Sequence, residues 1–379
     1  MMKRHIILYG FSIFSMFFGS GNLVFPLTVG AQNYDNWLAG FIGFFLTGII
    51  LPFLGLFVIK LHQGNYTKFF AEAGVIAKYA IPLFTLSLLG AFGVIPRCIA
   101  VSHGGLSFLS YNISLPIFSF LFCLICYLIC LNDKMMFSIL GKFLTPILLV
   151  FLTILIFVGV NQSQSIGINN EVFSNNFIDG FFRGYATMDL FAAFFFSSLI
   201  FKQIEATAIA NGQNSDTKTI IKAALGPSIF GAILLSVIYF GFVYLGSHYK
   251  FVVANLSEEQ ILPAIASYLL GKNGALFICV IIILSCLTTA VALNNIYAQY
   301  FCSFEKIGAK KYPLILAITT FISFIISLLD FKGISAILEP LLCISYPSLI
   351  ALTIMSILFR EYKKVKIFIF YALIVINIL

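Results

Sequence analysis

Apolar runs of about twenty residues recur from one end of this 379-residue chain to the other, and that feature decides which solvent the chain folds in. Each run is long enough to cross a hydrocarbon layer of about 30 Å as an α-helix. The runs are continuously apolar, as at 117–131 and 277–287, whereas the strands of a membrane barrel alternate over segments of about ten residues. Composition agrees: 61% of the residues are hydrophobic and 9% are charged, against about 25% charged in a soluble domain. The predicted fold class is an all-α polytopic membrane protein, with the lipid bilayer as its immediate surroundings.

The runs predict eleven spans, at 7–30, 37–60, 80–101, 114–131, 137–160, 181–201, 223–246, 274–301, 312–329, 334–357 and 366–379. The segment 257–271 contains Pro263 and is too short to cross, so a surface or re-entrant helix is expected there. The run after Lys3 and Arg4 carries no small-residue cleavage pattern and reads as the first span rather than a removable leader. The formal charge of +8 does not point to nucleic acid, because the basic residues sit in short loops and form no dense patch. With a cytoplasmic N-terminus, seventeen of the 22 Lys and Arg residues fall inside, and five (Arg97, Arg183, Lys250, Lys272 and Lys332) fall on the other side. That asymmetry predicts an inner (plasma) membrane protein with its N-terminus in the cytoplasm.

Catalytic chemistry finds no support. His5, His62, His103 and His248 lie at or near loops, and no intramembrane acid–base pair or nucleophile with a base is evident. Cys123, Cys126 and Cys130 form a CxxCxxxC run without histidine or charge, and read as small hydrophobes rather than metal ligands. No cofactor is expected.

Two spans are interrupted. The first contains Gly19, Ser20, Gly21 and Asn22 followed by Pro26, a poor continuous helix, since each glycine costs about 1 kcal/mol and a proline about 3. Freed backbone groups cannot face lipid, so this stretch must face protein or a water-filled cavity. Close helix packing through small residues is the plainer reading of the glycines alone. The sixth span opens with Arg183, Gly184, Tyr185, Ala186, Thr187, Met188 and Asp189. A carboxylate within a span costs at least about 2.5 kcal/mol and marks an ion or substrate path, unless it caps a half-helix or lies at the outer interface. Five spans separate the two breaks. An odd repeat must reappear inverted, and matching interruptions in two inverted halves point to a central transport site, with half-helix N-termini for a carboxylate and exposed carbonyls for a cation. The eighth span adds Ser285, Thr288, Thr289, Asn294 and Asn295, although membrane Ser and Thr mostly bond back to the preceding turn.

Four segments, FGSGNLVFP (18–26), GVIPRCIAVS (93–102), GYATMDLFAA (184–193) and CLTTAVALNNIYAQYF (286–301), resemble the branched-chain amino acid to cation symporter family, bacterial carriers of leucine, isoleucine and valine within the amino acid, polyamine and organocation superfamily. The resemblance implies one transporter domain over 1–379 with a five-plus-five inverted-repeat core, the repeats at about 7–160 and 181–357 and an extra helix at about 366–379. It implies a symporter working by alternating access, with sodium as the coupling ion at carbonyls around Ser15 and Phe18, the Ser285 carbonyl and the Thr288 and Thr289 hydroxyls. It places the charged end of a small neutral amino acid at Gly19, Ser20, Gly21 and Asn22, closed by Tyr185, Thr187, Met188 and Asp189. Arg97, in the IPR motif, is a gate over the outer pathway, a carboxylate holder or a snorkelling structural arginine. Ser20 stands where relatives commonly have Ala, Leu27 where they have a second proline, His103 lacks their neighbouring acidic residue, and the chain is shorter at its C-terminus. A proton-coupled carrier using Asp189, a carrier of another small neutral amino acid and a non-transporting amino acid sensor are the alternatives; no obligate protein partner is expected.

Overall fold

The computed structural model describes residues 2–109, 113–132, 144–163, 173–210, 217–304, 308–359 and 361–378, and no strand occurs among them. The first span is two helices, α1 (Met2–Phe17) and α2 (Ser20–Gln32), meeting at 74°. The second is α3 (Trp37–Phe45) and α4 (Leu51–Leu61), joined by a π-helical turn at Leu46–Ile50. The third is α5 (Val75–Leu89) and α6 (Val94–Phe108), and the fourth is α7 (Leu115–Cys130). The fifth is α8 (Leu144–Gln162); the sixth is α9 (Phe173–Ala186) and α10 (Asp189–Ala210), bent by 43°. Then come α11 (Thr217–His248), α12 (Ile261–Cys302), α13 (Tyr312–Ser327), α14 (Asp330–Leu358) and α15 (Lys363–Ile378).

Six of these elements are long and apolar enough to cross a membrane, and the two bent pairs raise the number to eight. α7 and α13, 16 residues each, are shorter apolar helices that fall where the fourth and ninth spans are expected. The structure departs from the sequence reading in three ways. The third span is interrupted at 90–93, where Gly90 and Gly93 flank a turn. The sixth begins at Phe173, eight residues before the expected 181, because Phe173–Ala186 is amphipathic and its polar residues mask the helix from a hydropathy reading. The segment around 257–271 forms the leading arm of α12, turned at Gly271 where φ is +71°, a conformation open to glycine. The first seven residues of the expected fifth span, 137–143, lie outside the described residues.

Packing exposes the inverted repeat. α1 and α2 lie along α11, while α9 and α10 lie along α3 and α4. A five-span repeat maps the first span onto the sixth and the second onto the seventh, so the contact of the first with the seventh becomes that of the sixth with the second. The third span packs on the eighth and the fourth on the ninth, each pair mapping onto itself. The two broken spans are thereby held between paired scaffolds.

At the end of the molecule that carries the α4 C-terminus, Glu72 ties three spans together. Its carboxylate accepts hydrogen bonds from Lys366 Nζ at 2.8 Å and from the Ser356 hydroxyl, and lies 3.0 Å from His62 Nε2. Burial pushes the Glu72 carboxyl up, but the hydrogen bonds from His62, Lys366 and Ser356 outweigh it and hold the group at about 2.

Candidate functional site

Each break is built from residues that end a helix locally. At Gly19 the backbone is extended (φ −117°, ψ −158°), and its N–H points to the Phe17 carbonyl at 2.8 Å and to Asn22 Oδ1 at 3.3 Å. The helix resumes at once, so the break is confined to Phe18 and Gly19, and Pro26 lies inside α2, where it withholds the donor that the Asn22 carbonyl expects. A Cβ on Gly19 would stand 2.9 Å from Thr289 Cγ2, and one on Gly21 would stand 2.9 Å from Arg97 Nη2 and 3.1 Å from Thr187 Cα. Glycine alone lets the first span approach the eighth, third and sixth this closely. In the sixth span Met188 adopts φ +61°, a left-handed conformation costing about 1–2 kcal/mol for a residue with a side chain. Asp189 then starts α10, its N–H donating to Thr187 Oγ1 at 3.3 Å, with its carboxylate at the positive end of the helix dipole.

The two breaks meet. Asn22 Nδ2 donates to Asp189 Oδ2 at 2.6 Å and also reaches the Tyr239 hydroxyl of α11, while Tyr239 itself lies 3.5 Å from Asp189 Oδ2. Asp189 is 3% exposed, so it is no interfacial carboxylate, and no cationic side chain stands within 4 Å of it among the described residues. Arg97, 1% exposed, is not a snorkelling side chain. It donates to the Ala186 carbonyl at 2.6 Å and lies 3.4 Å from both the Thr187 carbonyl and Ser20 Oγ, with its guanidinium 5.1 Å over the Phe25 ring. It neutralises the carbonyl end of α9 and fastens the sixth-span break to the first and third spans.

A central cavity of about 10 Å³ lies between the breaks, with Gly19, Ser20, Gly21, Asn22, Arg97, Thr187, Met188, Asp189 and Thr289 among its lining residues. Met16, Phe17, Leu89, Val94, Ala192, Phe196 and Leu293 supply its apolar lining. That volume holds roughly one water molecule, so these helices must part before an amino acid fits. A second cavity of about 10 Å³ lies beside the first-span break, with Ser15, Phe18, Thr145, Ser285 and Thr288 among its lining residues. Here Ser285 Oγ donates to the Phe18 carbonyl at 2.7 Å and Thr288 Oγ1 to the Ser285 carbonyl at 2.7 Å.

The structure divides the expected residues between these places. Thr288 faces the second cavity, but Thr289 faces the central one, because neighbours on a helix point about 100° apart. The Thr289 hydroxyl is buried and has no hydrogen-bond partner among the described residues. Tyr185 lines neither. Its ring packs against that of Tyr346, 4.3 Å between centroids and tilted by 31°, and it borders a third cavity of about 250 Å³ together with Asp179, Arg183 and Glu339. Sequence reasoning missed Tyr239, Tyr346 and Thr145. Each is a single polar atom in an apolar run, which on a sequence looks the same as an interfacial tyrosine or a back-bonded threonine.

A family model described as a branched-chain amino acid transport protein matches residues 2–379. The chain belongs to that family. Among relatives of this family, a Staphylococcus saprophyticus protein named as a branched-chain amino acid carrier is 30% identical, over 95% of this chain and 83% of its own length. The branched-chain amino acid permease BraB of Bacillus subtilis is also 30% identical, over 95% of this chain and 81% of its own. Among solved structures, Mhp1, a nucleobase-cation-symport-1 family transporter in a closed conformation with bromovinylhydantoin bound, superposes with TM-score 0.63 at 18% identity, covering 91% of this chain and 77% of that one. A Na⁺-coupled sialic acid symporter in a substrate-bound outward-open state superposes with TM-score 0.60 at 12% identity, covering 92% and 78%. At such identities the likeness shows a shared fold, with its five-plus-five core and two broken helices. The chain is a multi-pass membrane transporter, not an enzyme.

Proposed function

We propose that the protein imports leucine, isoleucine and valine together with sodium across the inner (plasma) membrane by alternating access, its N-terminus in the cytoplasm. The observation that carries this reading is the central cavity, whose lining brings the broken-helix ends, one buried carboxylate (Asp189) and one buried guanidinium (Arg97) together with branched and aromatic side chains. A branched-chain amino acid likewise joins charged groups to an apolar side chain. Its carboxylate suits the free N–H groups at the start of α2, and its ammonium suits Asp189. Leu89, Val94 and Leu293 would then receive the side chain. The family and the names of its members point to the same substrate class.

The polar atoms at the second cavity, beside the apolar Phe14 and Leu148, are oxygens, which suits a hard cation, with Ser15, Phe18, Ser285 and Thr288 as the donors. Thr289, set apart by its direction, is assigned to the substrate. Because Asp189 is buried and ionisable, it also favours a second reading in which a proton is the coupling ion. Arg97 keeps the sixth-span break assembled, and Tyr185 packed on Tyr346 closes the way toward the third cavity.

Binding tests the substrate class directly. Labelled leucine should bind the purified protein in sodium, unlabelled isoleucine and valine should compete, and lysine should not. Equal competition by lysine would reject the apolar lining as the side-chain site, and sodium-independent binding would favour the proton reading.

A further inference from the structure

Thr145 lies near the start of α8, and among the described residues its hydroxyl is the one polar group at the second cavity with an unused proton. The residue is 2% exposed, lines the cavity beside Ser15, Phe18, Ser285 and Thr288, and its Oγ1 makes no hydrogen bond among the described residues. The neighbouring hydroxyls are all committed. Ser15 Oγ donates to the Ser12 carbonyl at 3.2 Å, Ser285 Oγ to the Phe18 carbonyl, and Thr288 Oγ1 to the Ser285 carbonyl. A buried hydroxyl left unpaired costs about 1–3 kcal/mol. Threonines in membrane helices normally avoid that cost by bonding to the preceding turn, as Thr153 on the same helix does with the Leu149 carbonyl at 2.7 Å. Thr145 does not.

Once the three other protons are committed, the polar atoms that remain at the cavity, beside the apolar Phe14 and Leu148, offer lone pairs. The Phe18 carbonyl, at the break, keeps one after accepting the Ser285 bond, and each hydroxyl oxygen keeps its own. Such a surface repels an anion and satisfies a hard cation, and about 10 Å³ leaves room for a single small occupant. From the unpaired oxygen and the oxygen atoms of Ser15, Phe18, Ser285 and Thr288 around it, we infer that Thr145 Oγ1 is a ligand of the coupling cation, bringing the fifth span into a site otherwise made by the first and eighth. This rests on the reading that the second cavity is the cation site. α8 packs against both α1 and α12, so an ion held by Thr145 joins three spans, and its binding responds to movement of the fifth.

The experiment is thermal unfolding of the detergent-purified full chain titrated with sodium chloride against choline chloride at constant ionic strength. It compares wild type, Thr145→Val, which keeps the shape and removes the oxygen, and Thr145→Ser, which keeps the oxygen. Sodium should raise the wild-type midpoint saturably. The half-saturating sodium concentration should rise about tenfold or more in Thr145→Val and stay within about threefold in Thr145→Ser. In choline the valine variant should be at least as stable as wild type, because the unpaired hydroxyl is gone. Thr145→Ala gives the same comparison if the valine variant does not purify. A valine variant with an unchanged sodium midpoint overturns the inference, as does one less stable in choline with an unchanged sodium response, which marks a hydroxyl bound to structural water. Wild type that binds leucine but gains no stability from sodium overturns the cation site itself, and the inference with it.

Discussion

Asn22 Nδ2 lies 2.6 Å from Asp189 Oδ2, a hydrogen bond between residues 167 positions apart that joins the break of the first span to the break of the sixth. Both groups are buried, at 2% and 3% exposure, so the bond is made in a low dielectric where neither partner has water as an alternative. An amino acid ammonium arriving at Asp189 must share or replace it. Asp189→Asn keeps the shape and removes the charge. Leucine uptake should fall by roughly ten- to a hundredfold, since a hydrogen bond to a charged group contributes about 1.5–3 kcal/mol and, on the proposed reading, its loss leaves the ammonium without a charged partner. Uptake in vesicles, with surface expression measured alongside, checks this. The milder Tyr239→Phe should cost no more than about tenfold.

Gly19 is where the first span touches the eighth. Gly19→Ala places a methyl 2.9 Å from Thr289 Cγ2, closer than carbon atoms approach, and should abolish most transport. Combining it with Thr289→Ser removes the obstructing methyl group and keeps the hydroxyl. A double-mutant cycle of uptake should show partial rescue, and strictly additive losses would show that the contact is not the cause.

Arg97 reaches two backbone carbonyls and one hydroxyl through three separate nitrogens, which a lysine ammonium cannot reproduce from one point. Arg97→Lys keeps the charge and should still lower uptake by roughly ten- to a hundredfold, on the order of 1.5–3 kcal/mol. Wild-type rates in this variant would mean that only the charge matters.

Glu72 gives a pH dependence with a definite sign. Its carboxyl is held at about 2, below its usual 4.5, so the network's contribution is complete above pH 4.5 and is lost as the pH falls through about 2. At pH 7, Glu72→Gln should lower stability by on the order of 2 kcal/mol, because Lys366 at 1% exposure loses its carboxylate. Between pH 4.5 and pH 2.5 the wild-type and variant melting curves should converge, and a gap independent of pH would contradict the account.

The spans and the positions of both interruptions were legible because they rest on composition, which the bilayer reads directly. Gly19, Asn22, Pro26 and Asp189 break a local rule, and a rule-breaking residue at mid-membrane depth shows without any structure. Direction was not legible. Thr288 and Thr289 differ by one position and face different cavities, and Tyr185 turns to Tyr346 instead of the centre. Tyr239 and Thr145 became visible only when the seventh and fifth spans were packed against the first. Their sequences record a polar atom but not what it meets. The interruption at 90–93 was missed because two glycines in a long apolar run look like close packing, the same ambiguity that Asn22 and Pro26 resolved in the first span.

The most direct test of the central claim is accumulation of labelled leucine, isoleucine and valine in vesicles holding the purified protein, with an inward sodium gradient, an inward proton gradient or neither. The account predicts accumulation above the external concentration with the sodium gradient alone, lost in Thr288→Ala. Accumulation driven only by the proton gradient would assign the coupling to Asp189, and no uptake of any of the three under any gradient would contradict the assignment of a branched-chain amino acid carrier.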